Sequence, residues 1–135
     1  MLARFTAAAC LACGLLASAG VAAEPADARL FKGKTAQGFR IKLVVKERAF
    51  RIHAFDAELR CSDGNRLLLE EGGFLWTRVS KAGRFRDAQF GRTDSVYFRG
   101  QVTERRIRGR VRLTDRLKKG VRCRSGWIRF NATPR

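Results

Sequence analysis

The feature that most constrains this chain is a strict alternation of charged and apolar residues near its C-terminus. From position 106 to 113, each even position is an arginine and each odd position is glycine or an apolar residue. The segment Ser95–Val102 alternates in the same way, with Val96 and Phe98 in one phase. Because successive strand residues point to opposite faces, both segments are predicted to be half-buried β-strands. The exposed arginines, about 6.6 Å apart along the strand, are Arg106, Arg108, Arg110 and Arg112.

The rest of the sequence also reads as short strands separated by glycine-bearing turns, with no helical period. The predicted strands are Leu30–Lys34, Phe39–Val45, Phe50–Cys61, Arg66–Glu70, Phe74–Val79, Arg84–Phe90, Ser95–Val102, Arg106–Thr114 and Val121–Ala132. The last one changes phase at Ser125-Gly126, which indicates a glycine bulge. We therefore predict an all-β fold, a small antiparallel up-and-down meander of about eight or nine strands. A closed barrel is preferred over a sandwich, because the connections read as successive hairpins and closure hides the edges.

The first 23 residues have the pattern of a secretory signal peptide. Arg4 supplies the positive charge, and an apolar segment too short to span a bilayer follows it. Small residues offer cleavage after Ala23 or Ala19. The predicted organisation is a signal peptide over 1–23, a flexible leader over 24–29, a single β domain over 30–132 and a short tail over 133–135. Secretion, or export to the periplasm or cell envelope, follows from this interpretation.

Two cysteines, Cys61 and Cys123, lie beyond the predicted signal peptide. An even cysteine number in an exported chain predicts a disulfide between them. It would close a loop of about 60 residues and contribute roughly 4 kcal/mol by the chain-entropy argument. With the single histidine, His53, these residues are too few for a closed zinc site, so we expect no metal and no cofactor.

Several short motifs combine a core residue, a turn glycine or a cysteine at fixed spacing. They are Phe31-x-Gly33-x-Thr35, Cys61-x-Asp63-Gly64, Phe98-x-Gly100, Ile107-x-Gly109 and Cys123-x-Ser125-Gly126. On these motifs the chain resembles a group of small exported bacterial β-domains of unknown function. The resemblance covers most of Leu30–Ala132 and implies a β-rich exported domain with the same disulfide. It carries no activity that could be transferred, and this chain departs from the group in its charge, since such domains are often richer in small polar residues.

Catalytic signatures are weak throughout the sequence. His53 lies in the middle of a predicted strand without a nucleophile motif nearby. Glu70 and Glu71 are adjacent, so on a strand they point to opposite faces and make a poor catalytic pair. We therefore expect no enzymatic activity.

The strongest functional signal is the charge, since 29 Lys and Arg residues face 12 Asp and Glu and give a net charge of +17. Arginine forks suit phosphate, sulfate and carboxylate groups, and aromatic side chains stack on sugars or bases. The predicted polyanion-binding residues are Tyr97, Arg99, Arg106, Arg108, Arg110, Arg112, Arg122, Arg124, Trp127 and Arg129.

Three kinds of partner fit such a face: an anionic polysaccharide, a phosphate-bearing envelope polymer and an anionic lipid surface. Nucleic acid ranks lower, because an exported protein seldom meets it. Two other functions stay open. One is a small barrel that binds an apolar ligand in its interior. The other is a purely structural or protein-interaction domain whose arginines form a solvated face that discourages edge pairing.

Overall fold

The computed structural model describes residues 27–135, so the predicted signal peptide and residues 24–26 of the predicted leader lie outside the described residues. The described part is all-β and contains ten strands and a single 3-10 turn at Lys118–Gly120. The strands are β1 (Arg29–Thr35), β2 (Arg40–Lys46), β3 (Ala49–Cys61), β4 (Arg66–Gly72), β5 (Thr77–Arg78), β6 (Arg84–Phe90), β7 (Asp94–Val102), β8 (Ile107–Arg116), β9 (Arg122–Arg124) and β10 (Ile128–Pro134).

Six of these strands close into an antiparallel barrel. The order around the ring is β10-β1-β2-β3-β9-β8, and the pairing of β8 with β10 completes it. β4 and β5 pair with β3, while β7 and β6 continue the sheet beyond β8. The predicted all-β closed barrel is confirmed. Two pairings, β1 with β10 and β3 with β9, join strands far apart in the sequence.

The predicted disulfide is also confirmed, and it joins β3 to β9, one of the two long-range pairings of the ring. Cys61 at the end of β3 is directly opposite Cys123 on β9, and their Cα atoms are 3.9 Å apart. Next to this pairing, the side-chain amide of Gln37 takes the place of a strand residue. Its Oε1 accepts from the Glu58 N–H and its Nε2 donates to the Glu58 carbonyl, both at 3.0 Å.

Two of the predicted strands differ clearly from the observed ones. The expected strand Val121–Ala132 is split into β9 and β10, and Gly126 between them has a φ of +66°. Phe74–Val79 contains only the two residues of β5. Here the Gln89 side chain accepts from the Leu75 N–H and donates to its carbonyl, which replaces strand pairing.

The short tail predicted over 133–135 is paired with the barrel. β10 runs through Pro134, and Arg135 N–H donates to the Leu30 carbonyl at 3.0 Å. Strand pairing therefore extends to Pro134, which lies opposite Phe31 on β1.

Phenylalanine rings fill the space between the strands. Phe31, Phe50, Phe55 and Phe98 are at most 1% exposed. The Phe50 ring lies 4.2 Å from that of Phe85 and 5.7 Å from that of Phe98, centroid to centroid. These contacts connect β3 with β6 and β7, so the extra strands share the barrel core.

Candidate functional site

The candidate site is the solvent-facing side of the sheet formed by β6, β7, β8 and β10, which we call the outer face. On this face, Arg99 lies directly opposite Arg86 on one side and Arg110 on the other. Arg110 in turn lies opposite Arg129. All four arginines are exposed, and neighbouring strands are about 4.8 Å apart. This first cationic row consists of Arg86, Arg99, Arg110 and Arg129.

A second cationic row runs beside the first one, two residues along each strand. Its members are paired in the sheet register and consist of Arg84, Gln101, Arg108, Asn131 and Lys34. The two amide side chains alternate with the three cations. Both can donate and accept hydrogen bonds, so this row combines positive charge with neutral polar groups.

Both rows line a groove of about 1040 Å³. Gly100 and Gly109, which contribute only backbone atoms, lie between the rows and are paired across β7 and β8. None of the residues that the structure places along this groove is an aspartate or a glutamate. The groove therefore has cationic and amide side chains in its two rows, and Phe85 and Phe130 also contribute to its lining.

A third row combines aromatic rings with a guanidinium group, and we call it the aromatic row: Tyr97, Arg112 and Trp127. The Arg112 guanidinium lies 4.8 Å from the Tyr97 ring centroid and 5.0 Å from that of Trp127. Arg99 of the first cationic row also lies 5.0 Å from the Trp127 ring. Within residues 27–135, the buried Nε of Arg112 has no hydrogen-bond partner. These ring contacts, worth about 0.5–1 kcal/mol each when exposed, position both arginines.

The structure brings seven of the ten predicted polyanion-binding residues together on the outer face. Four of them line the groove, namely Arg99, Arg108, Arg110 and Arg129, and the other three form the aromatic row. Arg106 is exposed but precedes β8, where its backbone is hydrogen-bonded to Thr103. Arg122 and Arg124 lie on β9, opposite Arg116 and Thr114. They are exposed beyond the groove.

Three cations of the groove, Lys34, Arg84 and Arg86, were not predicted from the sequence, and neither were its two amide residues, Gln101 and Asn131. Their strands were predicted, and Arg84 and Arg86 share one phase of the alternation in β6. The sequence alone does not show that β6 pairs with β7 and that β1 pairs with β10. Those pairings place the three cations beside the arginines of β7, β8 and β10.

Carboxylates cluster away from the outer face. Asp94 is opposite Asp115 in the β7–β8 register, and both occupy the inward phase of their strands. Burial raises the pKa of nearby Glu71, and the negative charges of Asp94 and Asp115 raise it further. The barrel thus separates its charges, with this acidic cluster in the inward phase and arginine rows on the outer face.

Within the described residues, no group of three or more His, Cys, Asp or Glu side chains is placed to hold a metal ion. In the same part of the chain, no helix has the length and hydrophobicity to cross a membrane. The chain matches no protein-family model, and no curated protein or solved structure shows significant similarity to it.

Proposed function

We propose that this domain is an exported, non-enzymatic module that binds anionic polymers or surfaces through its outer face. The observation that carries the proposal is the first cationic row, in which four exposed arginines on adjacent strands lie directly opposite one another. The Cys61–Cys123 disulfide supports export, because such bonds persist in oxidising compartments.

Like charges directly opposite on neighbouring strands destabilise a sheet. The first cationic row contains three such pairs in succession, and the residues lining the groove include no carboxylate to offset them. A bound polyanion removes this repulsion and releases its own condensed counterions. If about four anionic groups are neutralised, the log of the affinity should fall with log salt with a slope of roughly −3.

The apolar-ligand alternative would require free volume inside the barrel. The interior positions carry tightly buried phenylalanines such as Phe31, Phe50 and Phe55. This packing favours the outer face over the interior as the binding site. The structural-domain alternative differs in its prediction, because it requires no affinity for polyanions beyond that due to net charge.

The test compares the loss of groove charge with an equal loss of charge elsewhere. One variant carries Arg99→Gln, Arg110→Gln and Arg129→Gln. Its matched control carries Arg48→Gln, Lys81→Gln and Lys118→Gln, three exposed residues outside the groove. Binding to heparin and to neutral dextran is measured for both variants and the parent protein across a salt series. Thermal unfolding of each protein verifies that it is folded.

We expect the parent protein to bind heparin but not dextran. The groove variant should lose most of the affinity and of the salt slope, whereas the control should lose only a small part of each. Equal losses in the two variants would mean that net charge alone binds heparin, and the proposal would be wrong. Strong stabilisation of the protein by apolar ligands, with no effect of salt, would instead support the interior-cavity alternative.

A further inference from the structure

We infer that the partner of the outer face is an anionic lipid surface, with the cationic rows on the head groups and the aromatic row at the membrane interface. This inference rests on the proposed function, because it names the partner of the same face. A soluble polyanion requires only the two cationic rows. The outer face also has an apolar part, for which binding of a soluble polyanion gives no reason.

The apolar part lies next to the cationic rows on the same side of the sheet. The Phe90 ring contacts Tyr97 edge to face, with the centroids 5.7 Å apart. Phe90 is 70% exposed and Trp127 is 41% exposed. From the groove outward, the face therefore passes from Arg99 to Trp127, Arg112, Tyr97 and finally Phe90 through successive ring contacts.

Three aromatic rings form this end of the face: Phe90, Tyr97 and Trp127. Phe90 is more exposed than Trp127, and its ring contacts that of Tyr97. Apolar side chains exposed together mark interaction surfaces. Phe90 is therefore available to enter the outer layer of a bilayer.

The chemistry of the three rows matches the layers of a lipid surface. Tyr and Trp favour the membrane interface, where their rings meet the acyl region and their polar atoms meet head groups. Arg and Lys near an anionic leaflet gain about 1 kcal/mol each, close to a fivefold change in affinity per residue. Arg112, held between two rings, places a guanidinium where these layers meet.

The distribution of negative charge agrees with this orientation. The aspartates of β6, β7 and β8 are Asp87, Asp94 and Asp115, and each occupies the inward phase of its strand. Asp87 accepts a hydrogen bond from Thr77 Oγ1 at 2.7 Å on that side. The three rows contain no carboxylate among the described residues, so they complement a negative membrane. Phe90, at the edge of the face, also lines a recess that contains the inward-phase carboxylates Glu71, Asp87 and Asp94.

The experiment separates lipid binding from polyanion binding. The protein is purified after export, and cosedimentation is measured with phosphatidylcholine vesicles and with vesicles that also contain phosphatidylglycerol. Heparin affinity is measured in parallel. The variants are Phe90→Ser, Arg99→Gln/Arg110→Gln, and a charge-matched control, Lys81→Gln/Lys118→Gln. Because every protein shares the same N-terminus, differences between them report on the outer face.

We expect the parent protein to bind only the anionic vesicles. Phe90→Ser should bind heparin normally but bind these vesicles about tenfold more weakly, because one exposed ring no longer inserts. The Arg99/Arg110 variant should lose about 25-fold toward vesicles, at roughly fivefold per arginine, and should also bind heparin poorly. The control should lose much less.

Tryptophan emission provides a second readout. In a Trp76→Phe background, Trp127 emission should shift to shorter wavelength with anionic vesicles and not with heparin. Unchanged vesicle binding by Phe90→Ser, or no shift of Trp127 emission, would overturn the lipid assignment. Heparin binding without vesicle binding would identify a soluble polymer as the partner and leave the proposed function intact. A parent protein that binds neither heparin nor anionic vesicles would contradict both the proposed function and the lipid assignment.

Discussion

Gly100 and Gly109 lie directly opposite each other on β7 and β8, and phenylalanine rings occupy the space where their side chains would begin. A Cβ on Gly100 would be 2.6 Å from Cζ of Phe85, and one on Gly109 would be 2.5 Å from Cζ of Phe130. The two glycines therefore let core rings pack directly against the backbone that lines the groove.

Gly109→Ala should destabilise the protein by about 2 kcal/mol, because the added methyl group overpacks the core against Phe130. Urea unfolding would measure this change. The double variant Gly109→Ala/Phe130→Leu should recover part of the loss, since the smaller side chain leaves room. A strictly additive double variant would show that the two residues do not interact.

The Cys61–Cys123 disulfide should contribute strongly to the stability of this small barrel. Replacing both cysteines by alanine should lower the free energy of unfolding by about 4 kcal/mol, because the unfolded chain gains the freedom of a loop of 62 residues. Urea unfolding of the variant and of the parent protein would measure the difference. A change below about 1 kcal/mol would contradict this prediction.

Much of the fold could be predicted because alternation is a local property. β6 coincides with the predicted Arg84–Phe90, and the inward phase of β8 contains Ile107, Val111 and Leu113 as expected. The pairings of β1 with β10 and of β3 with β9 could not be predicted, since they depend on how the whole chain closes. β5 is short because the Gln89 side chain, distant in sequence, satisfies the backbone of Leu75.

For the candidate site too, the facing of each strand could be predicted from the sequence but the pairing of distant strands could not. The phase of each strand placed the arginines of β7 and β8 on one face, which is the local part of the prediction. The groove also contains Arg86 from β6 and Lys34 from β1, and the position of both residues depends on the order of the strands in the sheet. Arg122 was predicted to bind polyanions with these arginines but lies on β9. The chain changes strand at Gly126, and β10, not β9, pairs with β8 at Arg108 and Arg110 on the side away from β7.

Glu71 should make stability depend on pH in the direction opposite to that of a paired carboxylate. Its pKa in the folded protein is raised above the ordinary value of 4.5, first by burial and then by Asp94 and Asp115. The folded state therefore holds this proton more tightly than the unfolded state does. Stability from this group is present below pH 4.5 and is lost as pH rises through the raised pKa.

The matching variant is Glu71→Gln, which keeps the shape of the side chain and cannot ionise. At pH 7 it should have a higher melting temperature than the parent protein, and at pH 4 the difference should shrink. Melting curves at both pH values measure this. A variant that is less stable at pH 7 would mean that the ionised Glu71 makes a favourable contact.

Trp127 tests whether the aromatic row positions the cations of the groove. The ring contacts both Arg99 and Arg112 at 5.0 Å. Trp127→Ala leaves the net charge unchanged but removes the ring contact of Arg99 and one of the two ring contacts of Arg112, which keeps Tyr97. Arg99 must therefore be ordered again when a polyanion binds. If each of the two contacts is worth about 0.5–1 kcal/mol, heparin affinity should fall about five- to thirtyfold, while the slope against salt should hardly change.

Two controls make this prediction specific. Trp76→Ala removes an equally exposed ring, which lies 5.0 Å from Arg51 and outside the groove, and it should leave heparin affinity unchanged. Trp127→Phe keeps an aromatic face for both arginines and should restore most of the affinity. If Trp127→Ala instead lowers the salt slope as strongly as the loss of an arginine does, the ring is part of the charge contact. In that case it is not a positioning residue.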